Sequence, residues 1–265
     1  MSQLIDTHAH PEMARGSDQP KDILTRAAAE GVTDIIAIGI CGPSSLGAAR
    51  LASQYDHYYA SAGIHPNRTA EEEVDQWWST VQQLAREGAV VGIGETGADL
   101  FHQYASLEQQ LEYFIKHLDL AAETGLPVII HCRDAEDHLL PILRERFEAA
   151  GPIHGVFHCF SGDEAMVREC IELGFYISFA GNVTYKNKKF ETLRAAARIV
   201  PDDRLLVETD SPFLAPEPHR GRKKGNEPAM VVHTARFLAD LRGQDFETVA
   251  RHTTDNARRL FKIKE

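Results

Sequence analysis

The feature that most constrains this chain is a repeated pattern of a short apolar run, a polar loop and an amphipathic stretch. It predicts eight strands, over residues 4–8, 33–40, 58–65, 90–95, 127–131, 155–158, 175–180 and 205–208. Strands that alternate with helices form a parallel sheet, because each helix returns the chain to the start of the next strand. Eight such units favour a closed α/β barrel of the TIM (β/α)8 type over an open doubly wound sheet. The first strand lacks the glycine-rich sequence that binds dinucleotides, which argues against a Rossmann fold.

The helical stretches carry their own signals. Amphipathic segments cover residues 107–124 and 134–149, and a further one over 245–261 predicts an extra C-terminal helix. Capping-box sequences begin at Ser106 and at Ser161, which predicts a helix start at each serine. The 265 residues contain no linker or low-complexity tract, so we expect one domain over residues 1–265.

Composition narrows the classes of protein that remain. The formal net charge is -11, so a polyanionic substrate would need bound metal ions and a local basic patch. The sequence shows neither a signal peptide nor an apolar run of membrane length, and the four cysteines form no CxxC pair. We therefore expect a cytoplasmic protein with reduced thiols and no membrane partner. The sequence leaves the oligomeric state open, and a monomer is compatible with it.

Histidine and carboxylate residues stand at the ends of the predicted strands. The candidate metal ligands are His8, His10, Glu95, His131, His158 and Asp210. The C-terminal ends of the strands meet on one face of a barrel, where active sites lie, so closure would bring these side chains together. Because side chains alternate along a strand, Asp6 and Glu208 would lie one layer below and could orient the ligand imidazoles.

Four imidazoles and two carboxylates exceed the needs of one tetrahedral ion. We expect two divalent metal ions. Zinc, manganese, iron and cobalt suit the nitrogen-rich donors, and magnesium is also a candidate. Glu95 is the expected bridge, because its strand lies between the two groups of histidines in barrel order. Two ions a few ångströms apart can hold a hydroxide and clamp a phosphoryl oxygen.

Three further residues are candidates for contact with substrate. Arg133 follows His131 at the expected mouth of the site and could bind a phosphate, or could form a salt bridge with Glu136 or Asp137. Arg220 belongs to the basic segment 219–225, which is either a phosphate contact or a solvated loop. His65 precedes a proline and is either a substrate contact or a structural residue.

Several motifs together resemble the TatD family of metal-dependent deoxyribonucleases, over essentially the whole chain. The matching segments are Asp6-Thr7-His8-Ala9-His10, Gly63-Ile64-His65-Pro66, Gly92-Ile93-Gly94-Glu95, Ile130-His131-Cys132-Arg133, Phe157-His158-Cys159-Phe160-Ser161-Gly162, Glu208-Thr209-Asp210-Ser211-Pro212, Asn226-Glu227-Pro228 and Asn256-Ala257-Arg258-Arg259-Leu260-Phe261. Two loops depart from the family pattern: Thr96-Gly97-Ala98-Asp99 stands where an aliphatic residue and Gly-Leu-Asp are usual, and Pro11-Glu12 where Leu-Asp is usual.

The resemblance implies a TIM barrel with a two-metal site. It assigns His8, His10 and Asp210 to one ion and His131 and His158 to the other, with Glu95 as the bridge. It also implies hydrolysis of phosphodiester bonds in DNA, typically as an exonuclease acting from the 3′ end.

The predicted mechanism is attack by a metal-activated hydroxide, with Asp210 as general base and Glu95 and His65 as the other catalytic residues. His65, Arg133 and Arg220 would contact a DNA substrate, single-stranded or at its 3′ ends. Fold alone does not fix the substrate, so a small ester, lactone, amide or phosphodiester is the alternative. A non-catalytic, metal-stabilised binding protein is a third reading.

Overall fold

Eight parallel strands form the centre of the protein in a computed structural model, which describes residues 3–13, 19–102, 104–223 and 225–264. The strands are β1 Leu4–Ala9, β2 Val32–Ala37, β3 Tyr58–Ala62, β4 Gly92–Asp99, β5 Val128–Arg133, β6 Gly155–Phe157, β7 Tyr176–Phe179 and β8 Leu205–Val207. Each strand pairs in parallel with the next along the chain, so the order is β1 to β8. The predicted TIM-barrel class is confirmed.

The barrel closes between its first and last strands through residues beyond the end of β8. Ala9 forms a parallel bridge with Ser211. The amide of Asp210 donates to the carbonyl of His8 at 2.9 Å, and the amide of His10 donates to the carbonyl of Ser211 at 2.8 Å. These bonds bring His8, in β1, and His10, just after it, beside the segment that carries Asp210.

Helices follow the strands and cover the outside of the barrel. Within the described ranges they are α1 Pro20–Ala29, α2 Gly42–Gln54, α3 Val74–Arg86, α4 Leu107–Thr124, α5 Glu136–Ala150, α6 Glu164–Glu172, α7 Glu191–Ile199, α8 Val231–Arg242 and α9 Phe246–Phe261. None of the helices in this part of the chain is long and apolar enough to span a bilayer.

The barrel interior and the C-terminal helix share one apolar cluster. Ile5, Ile129 and Leu206 belong to the same buried group as Leu260 and Phe261 of α9. The hydroxyl of Thr254, also in α9, donates to the carbonyl of Gln3, just before β1. The predicted extra helix therefore lies against the N-terminal end of the barrel, opposite the end where the strands finish.

One predicted helix start is wrong and another is confirmed. Ser106 caps α4 by accepting a hydrogen bond from the amide of Gln109, whose side chain returns to the Ser106 backbone. Ser161 does not cap α6, which begins after Asp163, and the Asp163 carboxylate accepts from the amide of Met166 at 2.9 Å. Asp163 takes the N-cap position because its ionised carboxylate is a strong acceptor for the free amides of the first turn.

Strand ends are shifted relative to the prediction, and the shifts matter for the site. β3, β6 and β8 end before His65, His158 and Glu208, whereas β4 continues past Glu95 to Asp99. The longer β4 brings four more residues into register beside β5, and Asp99 pairs with Arg133.

Candidate metal centre

The six predicted ligands come together at the C-terminal end of the barrel. On one side, Nε2 of His8 lies 3.2 Å from Nε2 of His10. Oδ1 of Asp210 is 3.5 Å from Nε2 of His10 and 3.9 Å from Nε2 of His8. His8 and His10, near the start of the chain, and Asp210, after β8, thus direct their donor atoms to the same region of the barrel mouth.

The other side of the centre is built from β5 and the segment after β6. Nδ1 of His131 lies 3.3 Å from Nε2 of His158. Nε2 of His65, from the segment after β3, is 3.3 Å from Oε1 of Glu95. His65, Glu95 and His131 are therefore close enough to hold one ion, so His65 is also a geometric candidate for a ligand.

The Glu95 carboxylate separates these two groups. Its Oε1 is 2.9 Å from Nδ1 of His131 and 2.9 Å from Nε2 of His158. Its Oε2 faces the opposite way, 3.4 Å from Nε2 of His8 and 3.8 Å from Nε2 of His10. Each carboxylate oxygen is thus directed at a different pair of imidazoles, which is the arrangement that a bridging ligand requires.

The donor set fits divalent cations. The nitrogens of the buried His8 and His10 point at each other, and so do those of the partly exposed His131 and the buried His158. Two imidazole nitrogens this close would repel each other through their lone pairs unless a proton or a cation lies between them. Imidazole nitrogen with carboxylate oxygen is a usual donor set for zinc and other transition metals.

Electrostatics keep the carboxylates of the centre ionised. Burial alone would raise the pKa of Glu95, but His158 and His65 outweigh it and hold the pKa well below its ordinary value. The pKa of Asp210 is likewise lowered, because its hydrogen bond with His10 and the neighbouring imidazoles overcome desolvation. Both side chains therefore carry the negative charge that a metal ligand needs.

Glu208 orients one of the imidazoles, as the alternation of side chains predicts. Its Oε1 lies 3.3 Å from Nδ1 of His158 and accepts from the amide of Cys159 at 2.7 Å. Its Oε2 is buried and has no hydrogen-bond partner among the described residues. His8, His158 and Glu208 form a further group that could hold an ion.

The same expectation is wrong for Asp6. Its carboxylate accepts from the hydroxyl of Thr209 at 2.5 Å and from the amide of Thr209 at 2.8 Å, and no hydrogen bond joins it to an imidazole of the described residues. Burial raises the pKa of Asp6 to about 8. Asp6 therefore joins β1 to the segment after β8, because Thr209 comes within its reach when the barrel closes.

Asp99 is the residue of the centre that sequence reasoning missed. Its Oδ2 accepts from Nε2 of His131 at 3.2 Å and from the side-chain amide of Asn67 at 3.0 Å. It stands four residues after Glu95 on the same strand, so alternation places both side chains on one face of β4. The four-residue spacing could have identified Asp99 as part of the site. It was not recognised because the predicted strand ended at Glu95.

Backbone conformation also marks the centre. Asp210 has φ 53° and Cys159 has φ 43°, both in the left-handed region that residues other than glycine rarely adopt. Asp is among the residues that tolerate this region best. The left-handed turn at Asp210, three residues after the end of β8, presents the carboxylate to His8 and His10.

The predicted substrate contacts line the rim of the site. Arg133 ends β5 with a half-exposed side chain, and its guanidinium lies over the ring of Phe101, 4.7 Å from the centroid. Its nearest carboxylate partner is Asp134 at 3.9 Å, so the alternative pairing with Glu136 or Asp137 is not observed.

Arg220 is exposed in the loop after β8. Its guanidinium lies over the ring of Tyr185, 4.2 Å from the centroid. Burial raises the pKa of Tyr185, and the charges of Arg220 and Asp210 also act on it. Lys224, in the same basic segment, falls outside the described residues.

An eight-stranded parallel barrel with a buried cluster of imidazoles and carboxylates at the ends of its strands belongs to the class of metal-dependent barrel hydrolases. The TatD related DNase family profile matches residues 5–262 of this chain. The chain therefore belongs to the TatD-related family of metal-dependent hydrolases.

Relatives and solved structures resemble the chain over nearly its whole length. An uncharacterised metal-dependent hydrolase of Bacillus subtilis, YabD, is 40% identical over 261 residues, covering 98% of this chain and 99% of YabD. The 3′-5′ ssDNA/RNA exonuclease TatD of Klebsiella pneumoniae is 36% identical over 267 residues, covering 98% of each chain. The crystal structure of YjjV, a TatD homologue from Escherichia coli K12, superposes with a TM-score of 0.90 at 29% identity, covering 99% of each chain.

Proposed function

We propose that the protein is a metal-dependent exonuclease that hydrolyses phosphodiester bonds from the 3′ end of single-stranded DNA. The observation that carries this proposal is the Glu95 carboxylate, whose two oxygens face two separate pairs of imidazoles. Such a site suits two ions held side by side, an arrangement used for in-line displacement at phosphorus. The exonuclease activity named for the Klebsiella pneumoniae relative supports the choice of substrate.

The proposed ligands follow the two halves of the centre. His8, His10 and Asp210 would hold one divalent ion, His131 and His158 the other, and Glu95 would bridge them. Ions bound there supply Lewis acidity and lower the pKa of bound water.

Asp210 is the proposed general base. Its side chain is 15% exposed, whereas that of Glu95 is 4% exposed, so Asp210 is the carboxylate of the two that an incoming water can reach. The lowered pKa of Asp210 leaves it ionised at neutral pH and able to accept a proton from the attacking water. A base at the mouth of the site can also return that proton to solvent after the leaving group departs.

Cations at the rim would bind the substrate phosphates. Arg133 stands two residues after His131, and Arg220 lies in the loop that follows Asp210; both guanidinium groups are exposed and lie over aromatic rings. They supply local positive charge that the chain as a whole, at -11, does not. His65, beside Glu95, would donate a hydrogen bond to the phosphoryl oxygen as negative charge develops on it.

A degradation assay tests the function. A 5′-labelled single-stranded oligonucleotide would be incubated with protein in a chelator and then with Mg²⁺, Mn²⁺ or Zn²⁺, beside a strand whose 3′ end is blocked. We expect metal-dependent, stepwise shortening of the free strand, slower shortening of the blocked strand, and loss of activity in His131→Ala. Absence of cleavage by protein with measured bound metal would overturn the proposal and favour a small ester or amide substrate.

A further inference from the structure

Exposed aromatic rings are concentrated at the mouth of the barrel. Among the described residues, the aromatic side chains with large exposure are Phe101 at 59%, Tyr104 at 71% and Phe213 at 46%. Phe101 and Tyr104 follow β4, and Phe213 follows β8. Exposing such rings to water is unfavourable, so their collection around one opening indicates a surface that is covered during function.

The two sets of rings follow strands that lie on opposite sides of the barrel. Eight strands in sequential order around a barrel place β4 and β8 on opposite sides. Phe213 lies beside His10, with ring centroids 6.4 Å apart. The amide of Phe101 donates to Asp99, which itself binds His131. The Phe213 ring therefore borders the His10 side of the centre, and the backbone of Phe101 borders the His131 side through Asp99.

The backbone that carries each ring is held in place by hydrogen bonds. The side-chain amide of Asn226 donates to the carbonyl of Phe213 at 2.7 Å, and the amide of Phe213 donates to the carbonyl of Asp210 at 2.9 Å. Asp99 fixes the turn after β4 by accepting from the amides of Phe101 and His102 at 3.0 and 2.8 Å. A backbone segment that is ordered in advance loses little entropy when a ligand binds to its side chain.

We propose that Phe101 and Phe213 are stacking platforms for the two nucleobases that flank the scissile phosphate. This inference rests on the proposed function and extends it to the recognition of unstacked bases irrespective of sequence. A base stacks on an aromatic side chain through a π-face that all four bases share. A phosphate bound at the centre would have one nucleoside directed toward β4 and the other toward β8.

The charge around the platforms favours the same occupant. The Arg133 guanidinium covers part of one face of Phe101, which sets a cation beside the position of a backbone phosphate. The rings of His102 and Tyr104 stack nearly parallel, at 7° and 6.0 Å between centroids, and extend the surface on the β4 side. Aromatic rings interleaved with cations are the usual surface for single-stranded nucleic acid.

A comparison of intact and abasic strands distinguishes the loss of base stacking from general damage to the site. Phe101→Ala and Phe213→Ala should each weaken kcat/KM on a single-stranded oligonucleotide by about tenfold to hundredfold. One of the two 3′-terminal bases would then be replaced by an abasic residue. On that strand one variant should cleave as fast as the parent protein, because the base that would stack on the substituted ring is missing for both. Ile115→Ala, an exposed apolar side chain on α4, is the matched control and should cleave like the parent protein.

A binding titration gives a second readout without turnover. An oligonucleotide carrying 2-aminopurine near its 3′ end would be titrated in a chelator, where stacking on a ring quenches its fluorescence. We expect quenching by the parent protein and by Ile115→Ala, with weaker quenching by Phe101→Ala or Phe213→Ala. Equal penalties on intact and abasic strands, with unchanged quenching, would overturn the stacking proposal and leave the nuclease intact. If the parent protein cleaves nothing, the proposed function fails, and the quenching alone decides whether bases stack.

Discussion

Asp99 binds Nε2 of His131 and thereby leaves Nδ1 of the same ring facing Glu95. The two distances are 3.2 Å from Nε2 to Asp99 and 2.9 Å from Nδ1 to Glu95. Burial alone would raise the pKa of Asp99, but hydrogen bonds from His131 and His102 hold it well below its ordinary value. An ionised Asp99 fixes both the orientation and the tautomer of the His131 ring.

Asp99→Asn should therefore weaken metal binding without unfolding the protein. An amide can present its NH2 group to Nε2, which moves the ring proton to Nδ1 and blocks the nitrogen that faces the centre. Loss of such an orienting partner typically lowers metal affinity or activity about tenfold to hundredfold. Titration with Zn²⁺ or Mn²⁺ by calorimetry measures the change. Asp203→Asn, in a surface pair with Arg204, is the control, and equal affinities in the two variants would refute the role of Asp99.

Asp210→Asn should slow turnover sharply while leaving the fold intact, and its metal content must be measured because Asp210 is also a proposed ligand. Asn tolerates the left-handed conformation at this position, with φ 53°, so the turn after β8 should survive. Loss of a positioned base slows turnover by about a hundredfold to ten-thousandfold. Steady-state cleavage together with metal content measured by mass spectrometry tests this outcome. Turnover within a few-fold of the parent protein, with metal retained, would show that another group takes the proton.

The gathering of the six candidate ligands was predictable because topology alone imposes it. Parallel strands in sequential order bring every C-terminal strand end to one face, so residues as distant as His8 and Asp210 become neighbours. Sequence could not say which imidazole nitrogen faces the centre. His131 uses Nδ1 and His158 uses Nε2, because Asp99 and Glu208 occupy the other nitrogen of each ring.

Strand ends were less predictable, since backbone geometry rather than hydrophobicity decides them. β4 runs four residues past Glu95 through small residues that carry no strong strand signal, and Gly97 has φ 137° within that stretch. The position of Asp99 depends on this extension. A hydrophobic pattern marks which residues are buried, but it does not reveal that a glycine keeps two backbones in contact.

Gly97→Ala tests that close approach. A Cβ at Gly97 would lie 2.0 Å from the carbonyl oxygen of His131, so β4 would have to move away from β5. We expect a loss of roughly 2 to 4 kcal/mol in the free energy of unfolding, together with weaker metal binding. Gly88→Ala is the matched control, because Gly88 also has a positive φ of 71° but has nothing within 4 Å of its added Cβ. Urea unfolding that gives equal losses for both variants would rule out the steric contact.

The buried His117 should make stability depend on pH. Its Nδ1 donates to the carbonyl of Tyr113 at 2.6 Å, and its Nε2 accepts from the amide of Ile64 at 3.0 Å, next to His65. Burial lowers the pKa of His117 from 6.5 to about 4, so the folded protein keeps this imidazole neutral. Between those values the unfolded chain binds more protons than the folded chain, and stability therefore falls as the pH decreases from 6.5 toward 4.

Comparison with His117→Gln isolates this contribution. Because one pKa unit corresponds to about 1.4 kcal/mol, the stability advantage of the parent protein over the variant should shrink by about 2 kcal/mol between pH 8 and pH 5. Urea unfolding in a chelator at both pH values measures it, and the titration of the metal-ligand histidines cancels in the difference. The pH 8 measurement reports the packing and hydrogen-bond cost of the substitution alone, since His117 is neutral in both states there. An advantage that is the same at pH 5 as at pH 8 would mean that His117 accepts a proton in the folded barrel as readily as in the unfolded chain.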